Sequence, residues 1–142
     1  MPQSDHEADS VAKLREMAKT EPIASFFNFN VLELGPGYAR ASVKMKPQYL
    51  NINGMVFGGI VMSIADQVFG LAVNTIAHPS IASQFNIYFI SRVEPSDELF
   101  AECRMVKNGK RLGISEITVN NQKGELVAKA TGITIPVAKG KA

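Results

Sequence analysis

A chain of 142 residues, 46% hydrophobic and 20% charged, suits one soluble globular domain and excludes a disordered polymer. Its 15 basic and 13 acidic residues leave a net charge of +2, too balanced for a nucleic-acid binder driven by a phosphate-attracting field. One cysteine, Cys103, excludes an intramolecular disulfide, and no Cys/His cluster has metal-ligand spacing, so no metal and a reducing, cytoplasmic setting are expected.

The N-terminal residues Asp5, Glu7 and Asp9 are acidic where a secretory leader is basic, so export is not expected. Residues 10–19 set Val11, Leu14 and Met17/Ala18 at helical spacing behind Ser10 as an N-cap, and Pro22 marks the end. This predicts a helical extension over 1–24, followed by a single domain over 25–142. Strands are predicted at 29–34 and 38–46, joined by the turn Gly35-Pro36-Gly37. In the second, Ala39, Ala41, Val43 and Met45 alternate with Tyr38, Arg40, Ser42, Lys44 and Lys46, so one face is wet; Pro47 ends it. After a loop at 47–57, residues 58–77 approach transmembrane length, but Ser63, Asp66, Gln67 and Asn74 interrupt them. The segment therefore reads as a buried helix of about 30 Å at ~1.5 Å per residue. Four strands are predicted at 81–91, 98–107, 112–120 and 125–135, separated by Pro95-Ser96-Asp97, Asn108-Gly109 and Asn121-Gln122-Lys123-Gly124, and are expected to form an antiparallel meander.

The order of elements, without βαβ alternation or internal repeat, is an α+β pattern. A single antiparallel sheet must cover an apolar helix for either to leave water, so a curved sheet wrapped around a long central helix is expected.

Within that helix Gly59, Ser63, Asp66, Gly70 and Asn74 share one stripe, and Asp66 is the only charge from 58 to 77. An ordinary solvated face carries several charges, so the stripe reads as the wall of a polar cleft. Asp66 then either does chemistry or bonds a neighbouring polar group or subunit. At the helix start, Gly58-Gly59 leaves free N–H groups and a positive dipole end that can stabilise an oxyanion, or simply makes a tight loop-to-helix turn. Asp66 lies two turns further on, ~11 Å along the axis, too far for both features to meet one carbonyl within one chain.

The run PQYLNINGMVFGG at 47–59, continuing from Ile60 to Asp66, resembles the signature of hotdog-fold thioesterases of the PaaI-like and 4-hydroxybenzoyl-CoA thioesterase clan. That pattern has Asn, Gly, His-Gly-Gly and a helical acid eight residues after the first glycine of the pair; Asn51, Gly54, Gly58, Gly59 and Asp66 match it. The element order is similar from about residue 25 to 136. The resemblance implies a hotdog fold and an acyl-CoA thioesterase, with active sites between the subunits of a homodimer or of a dimer-of-dimers tetramer. It implies that Asp66 is the nucleophile or the general base, that a Gly58 or Gly59 amide polarises the thioester carbonyl, and that Asn51 positions the carbonyl or water. No cofactor is implied beyond the CoA of the substrate. A thiolate leaves readily, so a carboxylate and an oxyanion site can suffice.

One position departs from the pattern: Phe57 stands where the histidine is usual, and it cannot donate a hydrogen bond. Phe57 and Gly54 are placed on the substrate side, with Met55, Met62, Phe69 and Phe85 suggesting an apolar pocket. Lys107, Lys110 and Arg111 flank a predicted hairpin turn, where family members often hold CoA phosphates; a solvated basic turn is the commoner fate of such residues, but the rest of the signature favours the phosphate reading. Ser83, Gln84 and Asn86 would line the acyl cleft, though strand alternation lets only one subset point inward. His78 and His6 lie poorly for a base near Asp66, and Cys103 alternates with Leu99, Ala101 and Met105 as a packed thiol. The leading reading is acyl-CoA hydrolysis, and the alternative is a non-catalytic acyl-CoA binding or sensing protein. A dehydratase wants a His base, and a purely structural oligomer is the remainder.

Overall fold

The computed structural model describes residues 2–137. Helix α1 runs Pro2–Ala18, beginning well before Ser10: proline suits a first helical position and Asp5 in the first turn favours the dipole. Val11 and Leu14 bury one face of it, while Met17 stays exposed. Pro22 does more than close α1. It opens a second helix, α2 (Pro22–Phe27), which ends where Asn28 turns left-handed at φ 59°. That helix was not expected from the sequence.

Strands β1 (Asn30–Gly35) and β2 (Tyr38–Lys44) form the expected hairpin, with Gly37 at φ +66° in the turn. A short 3-10 turn, Pro47–Tyr49, precedes the central helix α3 (Gly58–Asn74), and β3 (Ser80–Phe89), β4 (Glu98–Asn108), β5 (Gly113–Asn121) and β6 (Leu126–Pro136) follow. The helix stops three residues short of the expected end because Thr75 turns its hydroxyl back onto the Ala72 carbonyl and accepts the Gly37 N–H at 2.8 Å.

The six strands lie in the order β1-β2-β4-β5-β6-β3, all paired antiparallel. The expected four-strand meander is thus corrected: β4-β5-β6 is one, but β3 pairs with β6 and β4 pairs with β2. Neighbours in sequence usually pair when the connection is short. Here the segment 90–97 carries the chain from the sheet edge to its middle. It is pinned by buried Asp97, which accepts the Glu94 N–H at 2.8 Å and the Gln122 amide at 2.9 Å.

Helix α3 touches all six strands, so the sheet wraps it, as in the hotdog fold. Ile64, Ala65, Val68 and Ala72 are wholly buried against the small inner residues Ala39, Ala41, Ala101 and Cys103. Small side chains on the sheet let a helix approach closely, and the aliphatic burial supplies most of the stabilisation. Burial also pushes the Cys103 thiol up to about 12. Cys103 is therefore expected to stay unlabelled by a thiol reagent at pH 7 in native protein and to react at once in denaturant; labelling of folded protein at a comparable rate would contradict this packing. Among the described residues no helix is long and apolar enough to cross a membrane, and no cluster of His, Cys, Asp and Glu could hold a metal ion.

Candidate active site

The predicted stripe lies on the open side of α3. Gly59, Ser63, Gly70 and Asn74 are half-buried and Asp66 is exposed, whereas Ile60, Val61, Ile64 and Ala65 face the sheet. Two of its polar groups are occupied: Ser63 donates to the Gly59 carbonyl at 2.7 Å, and Asn74 donates to the Gly70 carbonyl and accepts the Ser80 N–H. Asp66 has no hydrogen bond or ion pair among the described residues. Desolvation by the surrounding apolar side chains raises its pKa above the ordinary carboxylate range. Met62, Ser63, Asp66 and Phe85 line a cleft of about 250 Å³.

The helix start is built to leave donors free. Phe57 is extended at φ −64° and ψ 128°; its own N–H goes to the Tyr49 carbonyl at 2.8 Å, and its carbonyl accepts from Ile60 at 2.9 Å. The N–H groups of Gly58 and Gly59 between them have no acceptor among the described residues, as the first turn of a helix requires. The Phe57 ring lies across Gly59 so closely that a Cβ there would sit 2.5 Å from it, and Phe89 backs Gly58. Phe57 and Phe89 are each 56% exposed, so the donors sit in an aromatic, open setting. Gly58 and Asp66 are ~12 Å apart along the helix, and a single chain does not bring them together.

Asn51 holds the loop before the helix. Its side-chain oxygen accepts the N–H groups of Asn53 (2.9 Å) and Met55 (3.2 Å), its own N–H donates to the Met55 carbonyl at 2.7 Å, and Gly54 turns the chain at φ +70°. Only the Asn51 amide remains to face a ligand. Asn51→Asp keeps both acceptor bonds and is expected to hold the melting temperature within about 2 °C, whereas Asn51→Ala loses them, at about 1 kcal/mol each. Loss of turnover in both variants would assign the amide a part in the reaction; loss in Ala alone would leave it a loop anchor.

On β3 Phe85 and Ile87 face inward, and the ring of Phe85 meets that of Phe69 at 5.7 Å. Asn86 pairs with Thr131 and, like Gln84, lies on the outer face of the sheet, away from Asp66 in this chain. Ser83 sits at a bulge on the exposed edge, its hydroxyl 3.4 Å from the Ile133 carbonyl. Lys107, Lys110 and Arg111 are exposed at the β4–β5 tip. That tip lies beyond the C-terminal end of α3, because Met105 bonds Gly37 and Gly37 bonds Thr75; the helix start is at the other end. Sequence reading gave no sign of the hydrogen bond from Gln67 to Glu21 (2.7 Å), which ties α2 to α3.

The family model described as "Thioesterase superfamily" matches residues 53–128. The acyl-coenzyme A thioesterase PaaI of Escherichia coli is 27% identical over 116 residues, 82% of this chain and 83% of that protein. The solved structure of the E. coli PaaI protein, from the phenylacetic acid degradation operon, superposes with a TM-score of 0.86, covering 94% of this chain and 95% of that one at 26% identity. A Streptococcus mutans protein solved with acetyl CoA bound superposes with a TM-score of 0.76 at 27% identity, over 82% of this chain and 94% of that one. A six-stranded antiparallel sheet curved around one helix is common to this chain and the PaaI structure.

Proposed function

The chain belongs to the thioesterase superfamily, and from that premise we propose that it hydrolyses an acyl-CoA thioester to the free acid and CoA. The observation that carries the reading is Asp66: an unpaired, exposed carboxylate on an otherwise apolar helix, with a raised pKa. A base works best when its pKa lies near the working pH, and desolvation moves Asp66 in that direction. In the water-activating route, Asp66 takes a proton from water as the water oxygen bonds to the carbonyl carbon. The oxyanion is held by the Gly58 or Gly59 N–H, the C–S bond breaks and CoA leaves as thiolate. In the nucleophilic route the Asp66 oxygen bonds that carbon first, the C–S bond breaks to release CoA thiolate and leave a mixed anhydride, and water then cleaves the anhydride to the free acid and the Asp66 carboxylate.

Either route needs a second copy. Placing two α3 helices antiparallel about a two-fold axis sets Gly58 of one copy beside Asp66 of the other, which closes the ~12 Å gap. In that arrangement the basic tip of the copy that supplies Asp66 projects past the other copy's helix start. Lys107, Lys110 and Arg111 would then meet the CoA phosphates while the pantetheine arm reaches the thioester. A homodimer, or a tetramer of two such dimers, is therefore the proposed working unit.

A second reading rests on Phe57, which offers no donor where the family pattern has histidine: the protein binds acyl-CoA without cleaving it. A colourimetric free-thiol assay across short, long and aromatic acyl-CoAs decides between them. Turnover is expected; saturable binding with no thiol released across that panel would favour the binding protein.

A further inference from the structure

The two free donors at the start of α3 stand between aromatic rings that the chain holds in place. Phe57 is pinned through its backbone, its N–H given to the Tyr49 carbonyl and its carbonyl taken by the Ile60 N–H. Its ring occupies the space a side chain on Gly59 would need, 2.5 Å from the place of a Cβ. Phe89, the last residue of β3 and the cross-strand partner of Ala128, sets its ring 3.5 Å from the place of a Cβ on Gly58. Successive helix positions diverge by about 100°, so rings seated on Gly58 and on Gly59 flank the donors on two sides. Both phenylalanines are 56% exposed, which leaves their apolar faces open to a ligand.

A thioester carbonyl held by these N–H groups carries two substituents, and both leave the carbonyl carbon close to the rings. On the sulfur side the first two carbons are bare methylenes in every acyl-CoA; on the acyl side C2 and C3 differ from one substrate to another. Neither ring carries a hydrogen-bonding atom, and the Asn51 amide is already engaged by the carbonyl or water in the reading above. A hydroxyl on C3 would therefore exchange its water for a ring face without gaining a partner. We propose that Phe57 and Phe89 are specificity-determining residues whose rings take the carbons on either side of the thioester carbonyl, so that the preferred acyl group bears no polar substituent on C2 or C3. The proposal rests on the acyl-CoA reading and names its substrate class.

Butanoyl- and 3-hydroxybutanoyl-CoA test it, since they differ by one hydroxyl at C3; hexanoyl- and 5-hydroxyhexanoyl-CoA place the same hydroxyl two carbons further from the carbonyl. An apolar pocket rejects an added hydroxyl by up to about 10²-fold, and wild-type kcat/KM is expected to be at least tenfold higher for butanoyl- than for 3-hydroxybutanoyl-CoA. The second pair is expected to differ less than threefold. In the Phe57→Ala/Phe89→Ala double variant the C3 hydroxyl stays hydrated, and the first ratio is expected to fall below threefold. Gly59→Ala keeps every backbone N–H but evicts the Phe57 ring, so it is expected to raise KM for butanoyl-CoA at least fivefold, and to do so far less in a Phe57→Ala background, where the clash is gone. A ratio near one for the first pair in wild type, a first ratio that survives loss of both rings in folded protein, or equal rejection of the 5-hydroxyl overturns the proposal. Absence of thiol release from every substrate overturns hydrolysis instead, and the same ratios, read as dissociation constants by calorimetry, still decide the role of the rings.

Discussion

Asp66→Asn is expected to lower CoA release by about 10²–10⁴-fold, the usual contribution of a positioned base, while making the protein more stable at neutral pH. The two effects share one cause. Desolvation by the neighbouring apolar side chains disfavours the charged carboxylate even though Asp66 is exposed, so Asp66 holds its proton to higher pH in the folded chain than in the unfolded one. Folding therefore takes up a proton between the two pKa values, and stability falls as pH rises through that window. Above it the full penalty of a charged Asp66 is present; below the ordinary carboxylate range it is absent. The neutral amide of the Asp66→Asn variant carries no such penalty, so its gain in melting temperature should be complete at pH 7 and vanish near about pH 3. The wild-type rate should rise with pH along a limb displaced above that range. A variant that loses activity while gaining stability separates a working carboxylate from a structural one. Unchanged turnover in both Asp66→Asn and Asp66→Ala would remove the residue from the mechanism.

Gly132→Ala is expected to have the largest effect on stability of any single added methyl group, about 1–3 kcal/mol, read as a lower urea midpoint at an unchanged slope. A Cβ at Gly132 falls inside the space of the Phe69 ring, which is buried in the core. Phe69 has little room to yield, because Phe85 packs on it and is itself the cross-strand partner of Gly132. Phe85 is also a wall of the Asp66 cleft, so the displaced ring should raise KM as well. Shrinking the partner offers a control: Phe69→Leu in the Gly132→Ala background should be less damaging than the sum of the two single changes. Simple additivity would mean that the ring and the glycine are not in contact.

Much of this architecture was legible from local pattern. Every strand and the central helix fell within three residues of the expected bounds, since alternation and turn residues report local geometry directly. The isolation of Asp66 was legible for the same reason: a lone charge on an apolar helix needs no tertiary knowledge to notice. Pairing between distant strands was not. Nothing in β3 itself says that its neighbour is β6, and Gly132 reveals its purpose only once Phe69 lies above it. Residues at helix starts misled in both directions, with Ser10 inside α1 and Pro22 opening α2, because a proline that ends one helix is equally suited to begin the next. Strand parity left the facing of Ser83, Gln84 and Asn86 open; the bulge between Ala82 and Gln84 sets it, turning Phe85 to the helix.

The pairing of β3 with β6 also has a consequence for how the chain is made. β3 ends at Phe89 and β6 begins at Leu126, so roughly 36 residues must be synthesised before β6, which alone among the described strands pairs with β3, starts to appear. At about 5–20 residues per second this is an interval of about 2 to 7 s. Throughout it Ile81, Tyr88 and Phe89 lie on a nascent strand with no ladder to join, while β1, β2 and β4 can already assemble. β6 thus completes the sheet on two sides at once, and ribosome-bound chains halted before Leu126 should be the form most readily captured by a chaperone.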